Sequence, residues 1–163
     1  MDRLPFQSIV YPTDFSLSNG AAFAHAVRLA IAARSALHIL HIDEAGAETE
    51  QNRFPAVREL LTQWQMLEPG APPEAVEFQL GVNVVKTALA SNDVAQAVGA
   101  YAERHSCDLL VMMTHESNWM RRILNGSLAE ATARLAHAPA LFLRTARRAS
   151  SMRTPARSDS LAC

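Results

Sequence analysis

The residues best suited to chemistry lie in one segment, 108–130, where an apolar run, DLLVMM, leads through a polar loop to Gly126-Ser127. A helix that begins on Gly-Ser presents free backbone N–H groups and the positive end of its dipole, which together bind anions such as phosphate. Met113 and Glu116, however, stand where a phosphate-binding loop favours glycine. A carboxylate there opposes a triphosphate, so the segment indicates a nucleotide site and also argues against it.

The bulk properties exclude several classes of protein. A chain of 163 residues fits one domain, and its net charge of -1 gives no reason to expect nucleic acid or an anionic membrane as the main partner. The sequence has no run of about 18 apolar residues, and its start, MDRLPFQ, lacks the features of a leader peptide. The two cysteines, Cys107 and Cys163, are placed poorly for a disulfide. We therefore expect a cytoplasmic protein.

Short apolar runs alternate with segments of helical period, which is typical of βαβ units around a parallel sheet. The predicted strands are 8–11 (stopped by Pro12), 36–42, 82–90, 108–113 and 140–144. The predicted helices are 18–34, 53–67, one capped at 91–93 that runs to 105, and 127–136. The stretch 76–80 alternates like a strand, but we favour 82–90 as the third strand because it leads directly into the next helix.

Five strands and four helices can form an open parallel sheet with right-handed crossovers. Ligands of such sheets bind beyond the carboxyl ends of the strands, near the point where the winding reverses. Three polar triplets follow predicted strands: Pro12-Thr13-Asp14, His41-Ile42-Asp43 and Thr114-His115-Glu116. The fold therefore predicts that these triplets converge at one edge.

Several of these residues have a structural interpretation beside the functional one. Asp14 suits contact with adenine or ribose, and it equally suits a turn that caps the following segment. Ser127 suits a phosphate contact, but with Glu130 it also forms a helix capping box. His41 at a strand end is more typical of a hydrogen-bonded, half-buried histidine than of a ligand.

The sequence shows no catalytic set, since neither a Ser-His-Asp order nor paired carboxylates stand out. The pair His115-Glu116 lacks the second histidine of a zinc protease motif, because Trp119 occupies that position. We predict no dedicated metal site. One weaker hypothesis places a metal among side chains at the expected edge, namely Asp14, His41, Asp43, His115 and Glu116.

Four separated motifs resemble the universal stress protein family. They are IVYPTDFS at 9–16, LHILHID at 37–43, DLLVMMTHE at 108–116 and GSLAEATARLAHAPALFL at 126–143, and the resemblance covers residues 7–144. It implies an α/β, Rossmann-like fold similar to the adenine nucleotide alpha hydrolases: an open five-stranded parallel sheet of strand order 3-2-1-4-5 with helices on both faces. It also implies a homodimer that pairs through the last strand, here Ala140 to Arg144.

One branch of that family binds ATP through a motif of two glycines three apart, nine further residues, and then Gly-Ser or Gly-Thr. The spacing is kept here, but Met113 and Glu116 replace the first two glycines, and only Gly126 remains. The candidate nucleotide pocket implied by the resemblance consists of Pro12, Thr13, Asp14, Ile42, Met112, Thr114, Gly126, Ser127 and Leu128.

We thus predict a universal stress protein domain over residues 1–144 and a disordered tail over 145–163, which is nearly devoid of large apolar residues. The predicted function is a dimeric stress-response regulatory or interaction module with a degraded nucleotide site and an unknown protein partner. No cofactor is assigned, although ATP is a candidate. The alternative is an ATP-binding switch with weak ATPase activity that uses Asp14, Thr114, Gly126 and Ser127.

Overall fold

The computed structural model describes residues 6–15, 20–43, 54–113 and 128–143. Its strands form one parallel sheet in the order β3-β2-β1-β4-β5, which confirms the predicted fold class. The strands are β1 Ser8–Thr13, β2 Ala36–Asp43, β3 Val84–Ala90, β4 Leu109–Met113 and β5 Ala140–Leu143. The helices are α1 Gly20–Ala33, α2 Val57–Gln63, α3 Ala75–Leu80, α4 Val94–Arg104 and α5 Leu128–Ala136.

The core lies on the central strands, which are apolar on both faces as buried parallel strands must be. Every residue of β1 is buried, and Ile9 and Val10 have no exposed surface. Helices cover both faces of the sheet. The hydroxyl of Thr87 on β3 lies 3.0 Å from that of Tyr101 on α4, whereas the adjacent Lys86 faces the opposite side, where α2 packs.

The prediction that Pro12 stops the first strand is wrong. β1 continues to Thr13 and pairs with β2 along its whole length, with Pro12 opposite Leu40. The pairing of β1 with β4 covers only Ile9 and Val10. Proline lacks a backbone N–H donor. We attribute its presence in this central strand to its position beyond the end of the β4 ladder, where β4 requires no donor from it.

The second predicted helix is too long, because α2 ends at Gln63 rather than near residue 67. The chain reverses at Gln65, whose φ of 57° is left-handed, and the Met66 N–H donates to the Leu61 carbonyl over 2.9 Å. This capping turn folds Leu67, only 5% exposed, back onto the core. The hydrophobic return stops the helix before Pro69-Gly70, a pair of residues that interrupts helices.

Residues 76–80 belong to a helix, α3, so the described part of the chain holds five helices rather than the four predicted. Their strand-like alternation has no counterpart in burial, since Val76 is 5% exposed whereas Phe78 is 91% exposed. α3 ends on Gly81, whose φ of 69° is left-handed, and the Gly81 N–H donates to the Glu77 carbonyl over 2.9 Å. β3 consequently starts at Val84, two residues later than predicted.

Helices α1 and α4 each bury one stripe of side chains at helical spacing. On α1 the buried set includes Phe23, Ala26, Val27 and Ala30, and Ile31 packs against the core; on α4 it includes Val94, Val98 and Ala102. Of the three caps considered for α4, Asp93 is the one used, since its Oδ1 accepts the Gln96 N–H over 3.0 Å.

Helices α4 and α5 approach each other through small residues. A Cβ atom added to Gly99 would lie 2.5 Å from the Cβ of Leu135, much closer than ordinary contact. Below this crossing, Ala102, Ala136 and Ala138 form a separate small buried cluster. The position of α5, which follows directly on Gly126-Ser127, therefore depends on glycine at residue 99.

Asp108 joins the first residues of β1 to β4 at the edge of the sheet where the strands begin. Its Oδ2 accepts the Gln7 N–H over 2.7 Å and the Ser8 N–H over 3.0 Å, and the Asp108 N–H donates to the Ser8 carbonyl over 2.8 Å. This carboxylate therefore supplies acceptors for two backbone donors about a hundred residues away in sequence.

Candidate functional site

The carboxyl ends of β1, β2 and β4 lie side by side, because β1 sits between the other two strands. The winding of the sheet reverses at β1, so this is the edge where parallel α/β sheets bind ligands. Thr13 pairs with His41 across β1 and β2, and β4 ends at Met113. The Pro12-Thr13-Asp14 and His41-Ile42-Asp43 triplets are therefore neighbours. The strand that precedes the third triplet, β4, ends beside them.

The turn after β1 is held by its own threonine. Thr13 is 1% exposed, and its Oγ1 accepts the Phe15 N–H over 3.1 Å. Phe15 has a φ of 61°, a left-handed conformation that non-glycine residues adopt at a cost of about 1–3 kcal/mol. Asp14 lies at the corner of this turn and is partly exposed. The turn therefore projects a carboxylate and an aromatic ring beyond the strand.

His41 is fixed against this turn by two contacts. Its Nδ1–H donates to the Thr13 carbonyl over 2.8 Å, so Nδ1 carries the proton and Nε2 is the ring nitrogen left for other partners. Its ring stacks on Phe15 with centroids 4.0 Å apart and 22° between the planes. His41 is half-buried, which confirms the structural interpretation of a hydrogen-bonded histidine.

A third ring completes this group. Phe54, 4% exposed, meets Phe15 edge-on with centroids 5.1 Å apart. Phe15, His41 and Phe54, here called the aromatic group, come from three separate parts of the chain and cover the ends of β1 and β2. Flat rings at such an edge suit the face of another flat ring.

Beneath the turn, burial raises the pKa of the Tyr11 phenol far above its usual range. A hydrogen bond with Thr13 lowers that pKa and the charge of Asp14 raises it, but burial is the dominant cause. Tyr11 is fully buried and packs against Phe23 of α1. Its hydroxyl stays protonated at neutral pH and has a structural role.

The candidate pocket residues fall into three groups. Pro12, Thr13, Ile42 and Met112 are buried strand residues, so their side chains belong to the core and Asp14 alone is partly exposed. Leu128 is the first residue of α5, at the end of the helix predicted to meet an anion. Three further candidates, Thr114, Gly126 and Ser127, lie outside the described residues, as does Glu116.

Sequence reasoning missed the aromatic group. Phe15 directly follows the Pro-Thr-Asp triplet, and an aromatic residue at that place was the signal that it lies at the ligand-binding edge. Phe54 carried no such signal, because it follows the acidic segment 43–52 and precedes a helix. Its contact with Phe15 is set by the fold alone.

The metal hypothesis gains no support where it can be examined. Within residues 6–15, 20–43, 54–113 and 128–143, no group of three histidine, cysteine or acidic side chains is arranged to hold a metal ion. Two of its five members, His115 and Glu116, lie outside those ranges. In the same part of the chain, no helix combines the length and apolar character that crossing a membrane requires.

Solved structures similar to this chain share its fold. The universal stress protein UspA from Lactobacillus plantarum aligns with a TM-score of 0.55 and 22% identity, over 85% of this chain and 97% of that one. A universal stress protein in complex with cAMP aligns with a TM-score of 0.53 and 19% identity, over 86% and 98%. A family member from Burkholderia pseudomallei aligns with a TM-score of 0.50 and 21% identity, over 85% and 96%.

Comparison with curated proteins gives no match. The sequence does match the model of one protein family, the universal stress protein family, over residues 5–144. That match spans most of the 163 residues and agrees with the sheet order and with the solved structures. The chain therefore belongs to the universal stress protein family.

Proposed function

We propose that this universal stress protein is a cytoplasmic, homodimeric stress-response module that acts through protein interaction, with a degraded nucleotide site. The observation that carries the proposal is the end of β4. Met113, the last residue of that strand, takes the place of the first motif glycine on the strand next to the Thr13-Asp14 turn. Glycine at this place in the motif lets the backbone approach phosphate closely, and methionine lacks that property.

The second replaced glycine adds an electrostatic cost. A carboxylate at position 116, about 4 Å from a phosphate oxygen, is unfavourable by about 4 kcal/mol per charge pair at an effective dielectric constant of about 20. Each 1.4 kcal/mol is about a factor of ten in affinity, so one such contact removes two to three decades. A loss of this size disfavours ATP as the main ligand.

The free edge of β5 supports the homodimer. β5 pairs only with β4 among the described strands, and Leu141 and Phe142 on it are 37% and 38% exposed. An edge strand with exposed apolar side chains is a surface that a second copy can cover. Pairing through β5 would bury these two side chains and extend the sheet across the dimer.

A second candidate function is a nucleotide-dependent switch with weak ATPase activity. Two observations favour it: the aromatic group at the ligand-binding edge, and a solved family member in complex with cAMP on the same fold. In this case Asp14, Thr114, Gly126 and Ser127 would hold the nucleotide, and the aromatic group would lie beside the adenine. The two functions differ in whether the purified protein carries nucleotide.

The deciding experiment measures nucleotide directly. Purified protein is extracted with perchloric acid and the extract is run on an ion-exchange column, while thermal unfolding is followed with and without Mg-ATP. The degraded site predicts an empty extract and no ATP-dependent shift. Bound nucleotide, or a shift of several degrees, would establish the switch instead.

Three variants separate the causes of weak binding. Glu116→Gln removes the charge and keeps the size, Met113→Gly removes the bulk, and Met113→Gly with Glu116→Gly removes both. The double variant is expected to bind ATP about a hundredfold more tightly than the wild type. Glu103→Gln is the matched control, since Glu103 lies at the far end of α4. If the double variant gains no affinity, the replaced glycines are not what closes the site.

A further inference from the structure

A cavity lies under helices α2 and α3, away from the ligand-binding edge at the ends of β1, β2 and β4. It has a volume of about 880 Å³, which is in the usual range for small-molecule sites. Val57, Val76 and Val84 give it an apolar lining, and Arg58 and Lys86 bring two positive charges to it. β3, which contributes Val84 and Lys86, is the strand at the edge of the sheet, so the cavity is reached from the side of the molecule.

Arg58 is held in place at this cavity. Its Nη1–H donates to the Ala71 carbonyl over 3.0 Å, which ties the start of α2 to the loop that precedes α3. One face of the guanidinium fork is thus fixed by the protein, and its other N–H groups remain as donors. A positioned guanidinium costs less entropy when it binds an anion than a freely moving one does.

Lys86 lines the same cavity as Arg58, and the positive charge of Arg58 acts on its ammonium group. In the described part of the chain, neither side chain makes an ion pair. The pKa of the Lys86 ammonium is lowered, first by loss of water around the amine and second by the positive charge of Arg58. A bound negative charge would offset this repulsion.

The rim of the cavity limits what that negative charge can be. Glu59, Glu74 and Glu77 also line it and are exposed. The lining thus carries three carboxylates and two cations, all of them exposed, so a polyanion such as a nucleoside triphosphate is repelled, whereas a single negative charge can still be placed on Lys86 and Arg58. The valines then offer contact to an apolar body.

We propose that this cavity binds a small monoanionic ligand, a carboxylate on an apolar body, with the carboxylate on Lys86 and Arg58 and the apolar part against the valines. The site is separate from the nucleotide edge, since it uses the first half of β3 and the helices before it rather than the ends of β1, β2 and β4. It does not depend on whether the protein binds nucleotide.

Octanoate is a suitable probe, with octylammonium and 1-octanol as controls that change only the head group. Calorimetric titration of the full chain is expected to show saturable binding of octanoate and none of octylammonium. Lys86→Met should weaken octanoate binding about tenfold because it removes a charge-assisted contact, whereas Lys86→Arg should stay within about threefold of the wild type. Arg104→Met, which makes the same change of net charge on the exposed surface of α4, should leave binding unchanged.

Lys86 is the only lysine of the chain. The rate at which an amine-reactive reagent acetylates it can therefore be measured on a single peptide by mass spectrometry. Octanoate is expected to slow that reaction at least threefold, and Mg-ATP is expected to leave both the protection and the octanoate affinity unchanged. The proposal is overturned if octanoate does not bind, if octylammonium or 1-octanol binds equally well, if Lys86→Met binds octanoate like the wild type, or if Mg-ATP displaces it.

Discussion

Replacing Gly99 with alanine tests the packing that positions α5. The new Cβ would lie 2.5 Å from the Cβ of Leu135 and 3.3 Å from its backbone carbonyl carbon. The nearest atom is attached directly to the α5 backbone and has no rotamer by which to move away. The helices must therefore separate by about 1 Å to restore ordinary contact.

Two opposing terms set the size of the effect. Overpacking of this kind costs up to about 3 kcal/mol, while exchanging glycine for alanine inside a helix stabilises by about 1 kcal/mol. The net expectation for Gly99→Ala is a loss of about 2 kcal/mol in the free energy of unfolding. For a domain of this size that corresponds to a fall of about 4–8 °C in Tm.

Urea unfolding and thermal unfolding of the variant measure this loss directly. Gly20→Ala is the matched control, because a Cβ at Gly20 has nothing within 4 Å and this glycine also lies in a helix, α1. The control is expected to be as stable as the wild type or slightly more stable. If Gly99→Ala is as stable as the wild type, the α4–α5 crossing does not require glycine at residue 99 and the reasoning fails.

Two further predictions concern pH and assembly. His38, 7% exposed, has Nδ1 3.0 Å from the Tyr101 hydroxyl, and burial first and His105 second lower its pKa. Since the unfolded state then takes up a proton before the native state does, the stability from neutral His38 is complete above about pH 6.5 and falls as the pH drops below that value. Urea unfolding at pH 7.5 and 5.5 should show a steeper loss for the wild type than for His38→Asn, and parallel losses would contradict it. Phe142→Asp should convert the proposed dimer to a monomer in light scattering, whereas Phe78→Asp, at a side chain 91% exposed on α3, should not; a dimer that survives Phe142→Asp would remove β5 as the interface.

The sequence was sufficient for the sheet because alternating apolar runs and helical periods leave few ways to bury both faces of a strand. It was insufficient at Pro12, where the low strand propensity of proline predicted the end of β1. The strand continues because the backbone N–H that proline lacks lies beyond the end of the β4 ladder. The sequence was also misleading at Val76 and Phe78, whose alternation looks like a strand although only the first is buried. In each case a contact from elsewhere in the fold decided the outcome.

The candidate site was predictable only in part. The convergence of the triplets follows from parallel strands ending at one edge, and the structure confirms it for the ends of β1 and β2. The stacking of Phe15 on His41 and the approach of Phe54 were not predictable, since they depend on a left-handed turn and on a residue almost forty positions away. The cavity lined by Lys86 and Arg58 was not predictable, because the two side chains come from β3 and α2 and meet only in the fold.

The carboxylate of Asp108 has a consequence for synthesis on the ribosome. β1 finds β2 after about thirty residues, but its other neighbour and the acceptor for its first two amides arrive about a hundred residues later. At about 5–20 residues per second, one side of the central strand waits roughly 5–20 s for its partner. During that interval the β1 edge, which later lies at the centre of the sheet, is unpaired and apolar. A chaperone could bind the nascent chain there.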